Sequence, residues 1–170
     1  MKIVVSKNRD MWTGILLNQE KLYYSAYSYK SKNEAISHLS KVAGGEVSHV
    51  EEKEHRIIKV INNIVNGTSF SLPEIEFDFS GYTMKEIKVL QTLLQVPAGK
   101  TISYGELAKQ AGIPGAARFV GNVMAKNRFG PIIPCHRVIL SSGKLGKFAG
   151  KANNPLKKKL LIQEKAKIKE

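Results

Sequence analysis

Cysteine is almost absent from this chain: Cys135 is the only one in 170 residues, so no internal disulfide can form and a cysteine-rich metal site is excluded. Long apolar runs are missing too. No stretch approaches the roughly 18 residues that span a bilayer, and Met1–Ser6 is too short for a signal peptide. The expectation is an intracellular protein with no membrane partner, cytoplasmic, or nuclear if its source is a eukaryote. Acidic residues are scarce in one half only: residues 81–170 hold 4 Asp+Glu against 17 Lys+Arg, whereas residues 1–80 hold 10 of each. The entire net charge of +13 therefore lies in the second half. This asymmetry predicts two domains, 1–80 and 81–170, the second either meeting a polyanion such as nucleic acid or carrying a solubilising surface.

The first half alternates strand and helix signals. Lys2–Ser6, Trp12–Leu17 and Lys21–Ser28 are β-favouring runs separated by polar punctuation, which predicts a small antiparallel sheet. Helical spacing follows over 32–43 and 51–66, the second carrying an apolar stripe of Ile57, Ile58, Ile61, Ile64 and Val65 that ends at Asn66-Gly67. Residues from about 68 to 81 contain Pro73 and little periodicity, and they read as a linker.

The second half reads as mostly helical. Thr83 with Glu86, and Ser103 with Glu106, have capping-box spacing, in which hydroxyl and carboxylate each satisfy a free backbone N–H. A short helix from Tyr104, a stop at Gly112 and a new helix after Pro114-Gly115 outline a helix-turn-helix in this basic half. On the last of these helices Arg118 shares a face of small side chains with Gly121, Asn122 and Ala125. The terminal helix, capped by Asn153 or Asn154 with Pro155 in its first position, places Glu164 inside an apolar arc of Leu156, Leu160, Leu161 and Ile168. Lys157 lies in the same arc, and the expectation is that its head reaches water.

A buried carboxylate needs a partner. Glu86 and Glu106 are accounted for as caps, which leaves Glu164 seeking a cation or imidazole, and His136 and Arg137 are the candidates. A histidine beside Cys135 can take the thiol proton, directly or through water, and a carboxylate behind the ring would orient it and favour its cationic form. Adjacent residues in an extended segment point apart, so contact between Cys135 and His136 needs a turn or a bridging water. A structural cysteine beside a core histidine is the other reading at this point.

Pro134-Cys135-His136-Arg137-Val138 strongly resembles the active-site motif of the O6-alkylguanine-DNA alkyltransferases, the methylated-DNA–protein-cysteine methyltransferases. The resemblance extends in order and spacing through Ile102-Ser103-Tyr104-Gly105-Glu106-Leu107-Ala108, Ala116-Ala117-Arg118-Phe119-Val120-Gly121, Asn127, Ile132-Ile133 and Ser141-Ser142-Gly143 to Gly146 and Gly150. It is clear from about 83 to 165 and weak before that.

The resemblance implies a DNA-repair protein that moves an alkyl group from guanine O6 in duplex DNA onto its own Cys135, once and irreversibly, with O4-alkylthymine as a further candidate substrate. The damaged nucleotide is swung out from the minor groove. Cys135 falls on the nucleophile, His136 on the water-linked base, Glu164 on its orienting carboxylate, Asn127 on the brace of the active-site turn and Tyr104 on the residue that assists rotation. Arg118 falls on the finger that fills the vacated stack. Ser103, Tyr104, Ala117, Gly121, Asn122 and Arg137 are expected on the DNA side, and Val138, Phe148, Ala149 and Gly150 around the guanine. Phe148 stands where many members have tyrosine, and Ala149 and Lys151 also depart from the common pattern.

The implied fold is an α/β ribonuclease-H-like N-terminal domain followed by the helical domain, in a monomer with no cofactor. No zinc is expected, because the first half lacks cysteine and His38, His49 and His55 have no convincing ligand spacing. Two rival classes remain: a non-catalytic lesion binder and a helix-turn-helix regulator in which Cys135 merely packs.

Overall fold

The computed structural model describes residues 1–45, 47–68, 72–148, 151–152 and 154–169. Two compact units emerge, Met1–Ser80 with Arg128–Ile132, and Gly81–Asn127 with Ile133–Glu170.

The first unit is built on strands β1 (Lys2–Asn8), β2 (Met11–Asn18), β3 (Lys21–Tyr29) and β4 (His49–Glu52), in the order β3-β2-β1-β4. The first three run antiparallel, but β4 lies parallel to β1, so the sheet is mixed rather than wholly antiparallel. The helix expected from residue 51 begins instead at Arg56, because Glu51 and Glu52 pair with Val4 and Val5. Helices α1 (Lys32–Val42) and α2 (Arg56–Asn66) take opposite faces. Ile3, Val5 and Leu16 pack on Ala35 and Leu39 of α1, while Thr13 Oγ1 donates to Asn62 Oδ1 of α2 at 2.7 Å. A β-carbon at Gly14 would come within 2.7 Å of Leu39 Cδ1, so α1 approaches β2 where no side chain intervenes. The α2 stripe is buried as its spacing predicts, each residue contributing about 1.5–3 kcal/mol.

Two pieces outside the expected elements complete this unit. Within the expected linker, Leu22 N–H donates to Glu76 O at 2.8 Å and Asp78 N–H to Leu22 O at 2.9 Å. The Arg128–Ile132 segment also belongs here: Ser25 N–H donates to Arg128 O at 2.8 Å, Ser25 Oγ to Gly130 O at 2.7 Å, and Phe129 meets Phe77 and Phe79 edge-on.

The second unit packs α3 (Met84–Leu94), α4 (Tyr104–Gln110) and α5 (Ala117–Lys126) on one another. Both capping boxes are formed, Thr83 with Glu86 and Ser103 with Glu106. Short strands β5 (Ile102–Ser103) and β6 (Val138–Ile139) pair in parallel, β7 (Lys147–Phe148) and β8 (Lys151–Ala152) antiparallel, and α6 (Pro155–Gln163) closes the unit with Asn154 as its cap. Asn153, the other capping candidate, lies outside the described residues. The terminal apolar arc outlasts its helix: α6 stops at Gln163, and Ile168 reaches back from the tail onto Ile139, Leu145 and Leu161. Among the described residues no helix is long and apolar enough to cross a membrane.

Candidate active site

Pro134 cannot continue a regular ladder, and the chain after it closes into one 3-10 turn, Cys135–Arg137, whose Arg137 N–H donates to Pro134 O at 2.8 Å. This turn presents Cys135 partly exposed while His136 is fully buried. Asn127, at the end of α5, braces it: Nδ2 donates to Ile133 O at 2.9 Å, and the side chain also hydrogen-bonds the Cys135 sulfur.

Glu164 receives both of its candidate partners. His136 Nε2–H donates to Oε1 at 2.9 Å, and Arg137 forks onto the carboxylate through Nη2 to Oε1 at 2.8 Å and Nε to Oε2 at 3.0 Å. Burial alone would raise the pKa of Glu164, but these hydrogen bonds and charges bring it down to about 2. Arg137 also donates to Val96 O, so its head is engaged inside the unit rather than offered at a DNA surface. Glu164 itself caps α6 instead of standing in mid-helix.

Because Nε2 of His136 is committed as a donor, its Nδ1 is the free lone pair, and it has no hydrogen-bond partner among the described residues. Burial lowers the imidazole's proton affinity, Glu164 opposes this, and the charges of Arg137 and Lys157 lower it further. Burial is the larger effect and keeps the ring neutral at rest, while Glu164 favours its cationic form as expected. Burial likewise pushes the Cys135 thiol up, while Asn127, Lys157 and the backbone N–H groups of residues 135 and 136 act to lower it. The resting pair is thiol and neutral imidazole.

The remaining predicted residues sort by exposure. Tyr104 opens α4 half-buried, its hydroxyl made less acidic by burial and by Cys135, and that oxygen would lie 3.6 Å from a β-carbon at Gly146. Val138 is fully buried and Phe148 partly so. Ala149 and Gly150 lie outside the described residues. On α5, Arg118 and Asn122 are exposed, Ala117 is partly so, and open space surrounds Gly121. Ser103 is tied to Glu106 in its capping box.

Two residues of the site escaped sequence reasoning. Gly99, at φ +79°, sets its N–H 3.5 Å from Glu164 Oε2; the signal was a glycine following Pro97 where the α3 stripe ends. Lys157 is fully buried, with Nζ donating to Val138 O at 2.6 Å and lying 3.5 Å from Lys147 O. Its head does not reach water, because the carbonyls of β6 and β7 receive it in place of solvent.

Residues 85–166 match the family model described as the DNA-binding domain of 6-O-methylguanine DNA methyltransferase. A methylated-DNA–protein-cysteine methyltransferase of Kluyveromyces lactis is 32% identical over 155 residues, covering 89% of this chain and 79% of that protein. The chain belongs to the methylated-DNA–protein-cysteine methyltransferase family. A family member from Mycobacterium leprae is 48% identical over 82 residues, a stretch that spans 48% of this chain and about half, 49%, of the relative. The fold agrees over a longer span: Mycobacterium tuberculosis OGT in complex with DNA superimposes with a TM-score of 0.72 at 28% identity, covering 97% of this chain and 93% of that one. The O6-methylguanine-DNA methyltransferase of Pyrococcus kodakaraensis gives 0.70 at 25% identity, covering 95% and 98%.

Proposed function

We propose that this protein repairs DNA by transferring the alkyl group of O6-alkylguanine in duplex DNA to Cys135, one group per molecule. The observation that carries the reading is the orientation of His136: Nε2 is held by Glu164, so Nδ1 is left to accept a proton in the site that holds the chain's only thiol. The Cys135 proton passes to His136 Nδ1, through water, and Glu164 stabilises the imidazolium that forms. The sulfur then attacks the alkyl carbon; the S–C bond forms, the C–O6 bond breaks, and guanine leaves with the electron pair. It takes a proton from Tyr104, which His136 restores, so the thiol proton ends on guanine. A thioether is a poor leaving group, and Cys135 is not regenerated.

DNA recognition follows from the α4–α5 pair read as a helix-turn-helix, entered from the minor groove, with the exposed Arg118 filling the stack of the swung-out nucleotide. Unstacking costs a few kcal/mol, which the excess positive charge of residues 81–170 helps to offset. The strand order β3-β2-β1-β4 with a parallel β4 supports the ribonuclease-H-like description of the first unit. The relatives named as methylated-DNA–protein-cysteine methyltransferases and the DNA complex of the mycobacterial protein support the substrate class.

The decisive experiment is peptide mass analysis after incubation with O6-methylguanine duplex. One added methylene on the Cys135 peptide, lost in Cys135→Ser, is expected. An unmodified Cys135, or a methyl group on another residue, overturns the proposal.

A further inference from the structure

Lys157 is the one lysine in the fully buried set among the described residues, and no carboxylate lies within ion-pair distance of it. Among the described residues two neutral carbonyls, Val138 O and Lys147 O, receive its ammonium group. A buried cation with no counter-ion is expensive, and Lys157 shares the buried side of α6 with Leu160 and Leu161, where an apolar side chain of similar length would avoid that cost. A charge kept in such a place calls for an anion it can meet. Val138, whose carbonyl receives Nζ, gives its own N–H to Cys135 O, and α6 packs on the 3-10 turn, so the ionisable groups beside Lys157 are those of that turn, Cys135, His136 and Arg137. The same sulfur is faced by Tyr104 of α4, Asn127 of α5 and the backbone N–H groups of the turn. Glu164 and Arg137 are engaged with each other. Of the three ionisable groups of the turn, only the Cys135 sulfur can become negative.

We infer that Lys157 supplies the positive potential that stabilises the Cys135 thiolate as it forms, while its bond to Val138 O holds the strand that leaves the active-site turn. It is a positioning residue for the nucleophile and deepens the proposed alkyl transfer, on which only its catalytic consequence rests. The two groups answer each other: burial brings the Lys157 ammonium down to about 8, with Cys135 acting to raise it, and Lys157 in turn acts to lower the Cys135 thiol.

The test reads the thiol directly. Carboxamidomethylation of Cys135 by iodoacetamide is followed from pH 5 to 10 in the full-length protein, in Lys157→Met and in Lys157→Gln. Glutamine keeps a donor for Val138 O but removes the charge. Both variants should titrate about one unit higher and react about tenfold more slowly below the thiol midpoint. A Lys157→Gln profile that overlays the wild type would mean packing alone and overturns the inference.

Should neither variant fold, the wild-type protein decides. With 13Cε-labelled lysine, the Lys157 ammonium should titrate measurably lower once the sulfur is capped by iodoacetamide, since capping removes the anion it faces; an unchanged titration overturns the inference. Loss of methyl transfer from DNA with this coupling intact would count against the proposed function alone.

Discussion

Gly99 faces the backbone of Glu164 so closely that a β-carbon there would lie 2.9 Å from the Glu164 carbonyl oxygen, in a backbone conformation of φ +79° that side chains rarely adopt. The carboxylate that orients His136 is thus seated against a position only glycine fits. Gly99→Ala should destabilise the protein by about 1–3 kcal/mol and lower the single-turnover rate as Glu164 shifts. Thermal unfolding together with rapid-quench transfer kinetics measures both; a wild-type rate at reduced stability would remove the site from the explanation.

Glu164→Gln leaves the Arg137 guanidinium, 12% exposed, without its counter-charge. Removing one partner of a buried pair costs about 3–5 kcal/mol, and the loss should appear in the urea midpoint at neutral pH. Transfer should slow as well, because His136 loses its orienting acceptor. Full stability in this variant would show that the network contributes nothing.

Asn127 holds both Ile133 O and the Cys135 sulfur. Asn127→Ala should raise the thiol midpoint and reduce transfer by about 10–100-fold with the fold retained. Iodoacetamide reactivity against pH, compared with circular dichroism, separates this from simple unfolding.

Two histidines make stability depend on mild acid. Burial lowers the proton affinity of both His55, whose Nδ1 accepts from Ile57 N–H at the start of α2, and His136. The unfolded chain therefore binds protons first, so their contribution is complete well above pH 6.5 and is lost as pH falls through and below that value. The melting temperature should drop between pH 7.5 and 5, and His55→Asn, which keeps a capping acceptor that does not titrate, should flatten part of the slope. Glu164, held at about 2, adds a second loss between pH 4.5 and 2. A flat melting profile from 7.5 to 5 would refute the histidine assignment.

Arg118 is exposed on α5. Arg118→Ala should slow repair of O6-methylguanine in duplex by at least about tenfold and leave reaction with free O6-benzylguanine within about twofold, since only the duplex has a stack to fill. Equal losses on both substrates would argue against a finger.

The parts legible in advance were those whose forces act within a few residues. Both capping boxes link residues three apart, and the stripe of α2 repeats with the turn of the helix, so Thr83, Ser103 and Ile57 through Val65 disclosed their roles in order. β4 was not legible, because a four-residue strand of His, Val and two Glu has no periodicity to outweigh the helix that follows, and only β1 alongside it makes it a strand.

The amino-acid order alone settled where α3 and α4 start, that the positive charge gathers in one half, and that a thiol, an imidazole and a carboxylate in need of a partner belong to it. The tertiary structure decided which of these groups are charged. His136 lies 28 positions from Glu164 and Lys157 lies 19 from Val138, and water exclusion by the packed unit keeps the imidazole neutral and encloses the ammonium. Hydrogen-bond and stripe patterns are written locally, whereas solvation is a property of everything that folds around a group.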